Sequence, residues 1–406
     1  MPPLDGITVL DLTRVLSGPY CTMLLGDMGA RIIKVEQPGK GDDTRAWGPP
    51  FLYPSAHSPR AGDPGLNGES AYFLSINRNK ESVTLDFKQP EGRAVLDRLI
   101  EKSDVLVENF RPGTLTKLGL DYQSIAARHP RLVYCSISGF GHTGPRSREP
   151  GYDAIMQAEG GLMSITGAAD GTPYRLGVAI VDIVSGMFAA YGVAMALFAR
   201  ERTGRGQQVV LAMLDATVAL LTYQAGNFFA SGRVPARLGN RHPSIVPYET
   251  FAASDGEFVL AVGNDEQWRR FCTIAELPDD ARFTTNRQRV TGYDELRPFV
   301  ADRLRAKPRQ HWIERLTAAG VPCGSVRDFQ ELFADPQLAA REMLTAVEHA
   351  TIGPLKTLGV PVKLSTTPGA VRTPPPTLGQ HTDAVLRRDL GMTEDAVAAL
   401  RGRKVI

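Results

Sequence analysis

The apolar and polar positions of the amino-terminal third switch repeatedly between a period of two and a period near that of a helix. Residues 6 to 12 (GITVLDL) predict a strand, the segment after Pro19 predicts a helix ending near Gly29, and residues 31 to 37 (RIIKVEQ) predict a second strand. The alternation resumes with strand 82 to 87, helix 90 to 102, strand 104 to 110, helix 114 to 128 and strand 131 to 138. Strands separated by amphipathic helices pair through crossovers, so this pattern predicts an α/β fold: a parallel sheet with right-handed connections and helices on both faces.

Residues 176 to 199 are almost wholly apolar and long enough to cross a bilayer. Asp182 and Ser185 interrupt the run, and a carboxylate in lipid is costly. Ala179, Gly186, Ala189, Ala190 and Gly192 allow close approach of other backbones, so the run predicts a helix buried inside a large protein. A short strand at 208 to 213 and an apolar helix at 214 to 231 follow, and the texture changes near 230. Residues 247 to 263 predict a hairpin around Asp255 and Gly256, with helices near 265 to 275, 294 to 305 and 309 to 319. From about 340 the chain is expected to be Pro-rich and irregular, with one last short helix after PPPTLGQHTD (374 to 383).

The 406 residues exceed what one core usually serves, which predicts two domains. With 46 Lys and Arg against 44 Asp and Glu, the net charge of +2 leaves no global footprint for nucleic acid or an anionic membrane, so neither is expected as a partner. Any anionic ligand must be held locally. Cys21, Cys135, Cys272 and Cys323 form no CxxC or zinc-type set, which predicts reduced thiols, no disulfide and a cytoplasmic setting. The start, MPPLDGITVLDLT, lacks the pattern of a signal peptide.

In open α/β sheets ligands bind beyond the carboxyl ends of the strands. The loops expected there carry Arg14 to Pro19, then Lys40, Asp42, Asp43 and Arg45, then Lys88, Asn109 to Gly113, and the turn-rich Gly139 to Pro145. One basic loop residue is ordinary surface, but cations recurring across neighbouring loops predict a pocket for a phosphate-bearing ligand. Neither GxGxxG nor GxxxxGK[ST] is present, which speaks against NAD and ATP; seven scattered histidines without HExxH spacing predict no metal site.

The stretches LDGITVLDLTRVLSGPYCTMLLGDMGARIIKVEQPGKGDDTR, NRNKESVTLDFK, DVLVENFRPG, GFGHTGP, GYDAIMQAEGG, VDIVSG, TGRGQ and LGQHTDAVL together resemble the class III CoA-transferases over essentially the whole chain. That family includes formyl-CoA transferase, carnitine CoA-transferase and alpha-methylacyl-CoA racemase. The resemblance implies a transferase whose acyl acceptor is the aspartate of VDIVSG, here Asp182. A carboxylate among Val178, Ile180, Val181, Ile183 and Val184 is poorly solvated, which independently marks it as a candidate. Coenzyme A is implied as the group carried, with contacts falling on Leu16, Ser17, Gln37, Leu85, Lys88, Asn109, Arg111 and Lys117. Gln37 and Lys117 stand where formyl-CoA transferase has arginines.

The racemase branch pairs that aspartate with a histidine in a GHD motif; here Gly151-Tyr152-Asp153 replaces it, and a phenol is a poor base at neutral pH. Asp153 is open between capping the helix it begins and supporting the site. The segment LGNRHPSIVPYETF, with GDDTRAWGPPF and LGQHT, most resembles the succinyl-CoA:glutarate transferase branch. That implies a dicarboxylate acceptor, with Arg45, Asn240, Arg241 and His242 as candidate substrate contacts. The family fold implies a Rossmann-like large domain at 1–229 completed by 330–406, a smaller α+β domain at 230–329, and ring-shaped monomers interlocked as a homodimer. Two rival readings stay open: a racemase-type isomerase, which would exchange an alpha proton, and a CoA-binding protein without turnover.

Overall fold

The computed structural model describes residues 1–54 and 68–406. The chain forms two compact units, one comprising Met1–Gly161, Leu176–Thr222 and Pro336–Ile406, the other Leu162–Arg175 and Tyr223–Asp335.

The first unit is built on six strands: β1 (Thr8–Asp11), β2 (Arg31–Glu36), β3 (Lys80–Thr84), β4 (Val105–Glu108), β5 (Val133–Ser138) and β6 (Gln208–Ala212). They pair in the order β3-β2-β1-β4-β5-β6, every neighbouring pair parallel. The chain therefore runs outward from β1 to β3 and returns to place β4 on the other side of β1. Where the order reverses, the loops after β1 and β4 diverge and leave a crevice. Helices α1 (Ser17–Asp27), α2 (Pro90–Glu101), α3 (Asp153–Glu159) and α4 (Ile180–Thr203) accompany the sheet. Leu10, Val83, Leu106 and Tyr134 on the strands share a core with Leu96 and Leu99 of α2 and with Val385, Leu386, Val397 and Leu400 from the carboxyl-terminal segment.

Several elements differ from the sequence expectation for identifiable reasons. Strand β3 starts at Lys80, two residues early, because the ammonium is fully buried against Asp11, a partner that hydropathy along the chain does not reveal. The helix expected at 114 to 128 is interrupted by Gly119 in the left-handed conformation and survives as short turns at Thr116–Leu118 and Tyr122–Ala126. The helix expected at 214 to 231 is two, Met213–Ala219 and Thr222–Ser231. Beyond 340 the chain is less irregular than expected: Leu344–His349 and Gly353–Leu358 form an antiparallel pair, and two helices follow, Thr382–Leu390 and Glu394–Gly402.

Helix α4 is long and apolar enough to cross a membrane, alone in this among the described residues. The sequence predicts a buried helix; within the chain one of its faces is buried and the other exposed. Val181, Ser185, Gly186, Ala189 and Val193 are buried, and a Cβ at Gly186 would come within 2.7 Å of the Ser17 carbonyl oxygen on α1. Met187, Phe188, Tyr191, Met195 and Phe198 are exposed.

In the second unit, strands Tyr248–Ala253 and Gly256–Ala261 form an antiparallel hairpin extended by Cys323–Ser325. Phe251, Phe258, Leu260, Phe271, Val300, Leu304, Trp312 and Leu316 make its core. Residues Leu162–Arg175, which the sequence reading places in the first domain, belong here: the Arg237 guanidinium donates to the carbonyls of Ala168 and Gly171, and the Gly239 N–H donates to that of Gly167. All four cysteines are free.

Candidate active site

The loop after β1 is fixed at nearly every main-chain polar atom. The Thr13 N–H donates to Asp11 Oδ1 at 2.8 Å, and the Thr13 carbonyl accepts from Lys34 Nζ at 2.9 Å. Asn109, just past β4, accepts from the Arg14 N–H at 2.9 Å and donates to the Arg14 carbonyl at 2.7 Å, tying the loops after β1 and β4 to each other. The Val15 N–H donates to Asp42 Oδ1 at 3.3 Å. Val15 itself sits at a φ of 70°, a conformation unfavourable for a β-branched residue and one that surrounding contacts must hold. This turn delivers Ser17 to the start of α1.

The residues holding the loop are themselves a buried charge network. Asp11, Lys34 and Lys80 are fully buried, and Asp42 and Glu36 nearly so. Lys34 pairs with Asp42 at 2.9 Å and Lys80 with Asp11 at 3.2 Å. Burial by itself would raise the Asp11 pKa, but Lys80 and then Lys34, with the hydroxyls of Thr13 and Thr22, outweigh it and hold the group at about 2. Burial brings Lys80 down to about 8, against the pull of Asp11.

Two cavities open over this end of the sheet. One is lined by Gln37, Leu85 and Lys88, with Lys40 and Asp43. The other, of about 210 Å³, is lined by Ser17, Asn109, Arg111, Tyr152 and Asp182. Arg14, Asp43 and Phe110 border both, so the two adjoin. Six predicted CoA contacts are thus gathered: Gln37, Leu85 and Lys88 in one, Ser17, Asn109 and Arg111 in the other. Lys88 and Arg111 are exposed, and among the described residues neither pairs with a carboxylate, which leaves both charges for an anionic ligand. Leu16 is buried as the residue preceding α1, and Lys117 is exposed on its short turn; neither lines these cavities.

Asp182 lies in the first turn of α4 and is 9% exposed. Burial pushes its pKa up to about 7, the Asp153 carboxylate adds to the rise, and the hydroxyl and N–H of Ser17 act in the opposite direction. Its place at a helix amino terminus also favours the anion. At neutral pH the carboxylate is therefore near half-ionised and poorly hydrated. These properties suit an oxygen nucleophile attacking a carbonyl.

Asp153 resolves a question the sequence leaves open. It caps a helix, but not its own: Oδ1 accepts from the Val181 N–H of α4 at 2.9 Å. Oδ2 accepts from Gln157 Nε2 at 2.7 Å, and Gln157 Oε1 accepts from the Leu176 N–H at 2.8 Å. Asp153 thus both anchors the turn carrying Asp182 and raises its pKa. No sequence signal marks this, since the donor is 28 residues away.

A second cluster was not anticipated. The Ser136 hydroxyl donates to Glu108 through a short hydrogen bond and lies 2.6 Å from His142 Nε2, while Glu108 Oε2 accepts from the Phe110 N–H at 2.8 Å. Burial raises Glu108 to about 7, against the hydrogen bonds from Ser136 and Phe110, and burial lowers His142. The period-two signal of β5 absorbs Ser136, and GFGHTGP reads as a turn.

The candidate substrate residues fare differently. Arg45 is spent inside the protein, which corrects its assignment as a substrate contact: it makes a double hydrogen bond to Glu36 at 2.8 and 2.7 Å, donates to the Pro376 carbonyl, and covers the Phe73 ring at 3.6 Å. Asn240, Arg241 and His242 belong to the second unit. There Arg241 stacks on Tyr293 at 3.4 Å, and His242 packs between Tyr223 and Tyr248.

Comparison with known proteins agrees with this geometry. The description CoA-transferase family III matches residues 4–382. The chain is 42% identical to the succinyl-CoA:glutarate CoA-transferase of Mus musculus, covering 98% of this chain and 89% of that protein. It is 43% identical to the succinate--glutarate CoA-transferase of Agrobacterium fabrum, covering 95% of each. A crystal structure of a CAIB/BAIF family protein from Brucella suis superposes with a TM-score of 0.83 at 40% identity, covering 96% of this chain and 99% of that one. Carrying the family's sequence over nearly its whole length and an α/β sheet with a carboxylate at its switch-point cavity, the chain belongs to CoA-transferase family III and is a CoA-transferase.

Proposed function

We propose that the enzyme moves CoA from succinyl-CoA to a short dicarboxylic acid of the glutarate class, with Asp182 as the covalent acyl carrier. The observation that carries this reading is the buried Asp182 carboxylate, its pKa pushed up by burial, in a cavity that adjoins one lined by Lys40 and Lys88. The two glutarate transferases similar to this chain support the choice of acids.

An Asp182 oxygen attacks the thioester carbonyl, the C–S bond breaks, and CoA thiolate leaves a mixed anhydride. The thiolate then attacks the aspartyl carbonyl, releasing succinate and leaving an aspartyl-CoA thioester. The acceptor carboxylate displaces the thiolate to form a second anhydride. Attack of the returning thiolate on the acceptor's acyl carbon frees Asp182 and yields the new acyl-CoA. Each step exchanges one activated acyl group for another, so no ATP, NAD or metal enters. Ser17, Gln37, Leu85, Lys88, Asn109 and Arg111, with Leu16 and Lys117 on the flanking turns, are assigned to CoA; Asn240, Arg241 and His242 are assigned to the acceptor.

Assembly as an interlocked homodimer of ring-shaped monomers belongs to the same reading. The exposed apolar side chains of α4 support association, because such patches commonly mark interaction surfaces. The four free thiols suit a cytoplasmic setting.

The test mixes the enzyme with succinyl-CoA and a pool of mono- and dicarboxylic acids, reading new thioesters by mass spectrometry beside an Asp182→Ala control. Glutaryl-CoA is expected with the intact enzyme alone, the variant losing at least about 10³-fold in rate. Persistence of exchange in the variant rules out Asp182 as nucleophile.

A further inference from the structure

Among the cations bordering the Asp182 cavity, Arg14 and Arg111, the second is assigned to CoA by family resemblance and the first has no role so far. We propose that Arg14 grips the distal carboxylate of a diacid held at Asp182, and so sets the preference for dicarboxylic over monocarboxylic substrates. This inference rests on the Asp182 chemistry proposed above.

The argument begins with how differently the main chain and side chain of Arg14 are treated. Both main-chain polar atoms are taken by Asn109, its neighbours are held by Lys34 and Asp42, and Val15 is kept in an unfavourable conformation. Fixing a loop this completely is useful where a side chain must be presented in one place. The side chain, by contrast, is 53% exposed. Among the described residues its one ionic contact is to Asp43 at 3.8 Å, and Asp43 is held at 2.6 Å by Lys40. The guanidinium also lies over the face of Phe110, 5.2 Å from the ring centroid, a contact that uses none of its hydrogen-bonding edge.

Structural arginines in this unit look otherwise. Arg78 makes a double hydrogen bond to Asp27 at 2.9 and 2.6 Å, and Arg45 does the same with Glu36; both are buried or nearly so. Arg14 thus has a structural arginine's fixed backbone without a structural arginine's partner. A planar fork with open donors is matched by a carboxylate. Arg14 lines the same cavity of about 210 Å³ as Asp182, so it is a cation available to the other carboxylate of a short diacid whose reacting end is bonded to Asp182. A monocarboxylic acid would put a methyl group there and leave the guanidinium facing it unpaired.

The test compares wild type, Arg14→Gln and Arg14→Lys, using succinyl-CoA with glutarate or with valerate, the monocarboxylate of equal chain length. Circular dichroism and thermal midpoints establish that the variants are folded. The glutarate-over-valerate ratio of kcat/KM is expected to fall about 30- to 1,000-fold in Arg14→Gln, from the loss of a charge-assisted pair. Arg14→Lys, which keeps the charge but not the fork, should recover part of the ratio. If Arg14 instead holds a phosphate of CoA, kcat/KM falls by the same factor for glutarate and valerate and their ratio keeps its wild-type value; that result overturns the proposal. A wild-type preference that survives in Arg14→Gln overturns it as well, leaving the Asp182 reading intact. A wild type without preference for glutarate overturns both the role of Arg14 and the choice of acids.

Discussion

Two groups of buried carboxylates lie at the same end of the sheet and behave in opposite ways. Asp11, Glu36 and Asp42 face lysine and arginine across β1, β2 and β3, and the Asp11 pKa is driven down to about 2. Asp182 and Asp153 face one another at the start of α4, and Asp182 is driven up to about 7. Burial alone pushes Asp11, Glu36, Asp42 and Asp182 upward; the presence or absence of a cation decides the outcome. The paired group is a frame that fixes the loop of Arg14 and Ser17, and the unpaired group is where a reactive oxygen survives. A raised pKa is not sufficient for that role, since Glu108 also stands at about 7. Glu108 is held by hydrogen bonds from Ser136 and Phe110 and, unlike Asp182, lines neither of the two cavities that gather the predicted CoA contacts.

The contrast breaks most visibly at the frame. Lys34→Met leaves Asp42 and the Thr13 carbonyl buried without their partner, and about 3–5 kcal/mol of stability is expected to disappear, read as a lower denaturant midpoint. Unchanged stability with lost transfer would make the network a functional device and dissolve the distinction.

Asp182 should show the opposite sign. Its folded pKa lies above the ordinary aspartate value, so the stability it contributes is present below about 3.8 and is lost as pH rises through about 7. Asp182→Asn should therefore gain on wild type across that window by at most about 1.4 kcal/mol per pH unit, and the gap should level off above it. Parallel stability curves for the two proteins from pH 4.5 to 8 would mean that the carboxylate is not destabilised by burial.

The smallest effect sharpens the pairing of the two aspartates. Because activity requires the Asp182 anion, kcat/KM should rise with pH to a plateau with its midpoint near 7. Asp153→Asn removes a neighbouring negative charge while its amide oxygen can still accept from the Val181 N–H, and the midpoint is expected to move down by about half a unit. An upward move, or none, would leave burial as the whole cause.

Much of this was legible along the chain. The alternation placed β1, β2, α2, β4 and β5 to within a few residues, and Asp182 stood out as a carboxylate inside an apolar run. Illegible features were those set by distant partners. Lys80 opens a buried strand because Asp11, 69 residues earlier, neutralises it. Arg45 looked like a ligand residue until Glu36 and Phe73 were seen around it. Asp153, open in sequence between capping its own helix and supporting the site, caps the helix that carries Asp182.

By itself the sequence determined the strand and helix periodicities, the motifs of the family, the supply of loop cations and the presence of a carboxylate inside the long apolar run at 176 to 199, because each is a property of neighbours along the chain. Tertiary structure alone decided the strand order that opens the crevice between β1 and β4, which charges are spent on one another, and which remain free to act. Electrostatic pairing and desolvation depend on distance through space, and folding assigns those distances without regard to separation in sequence.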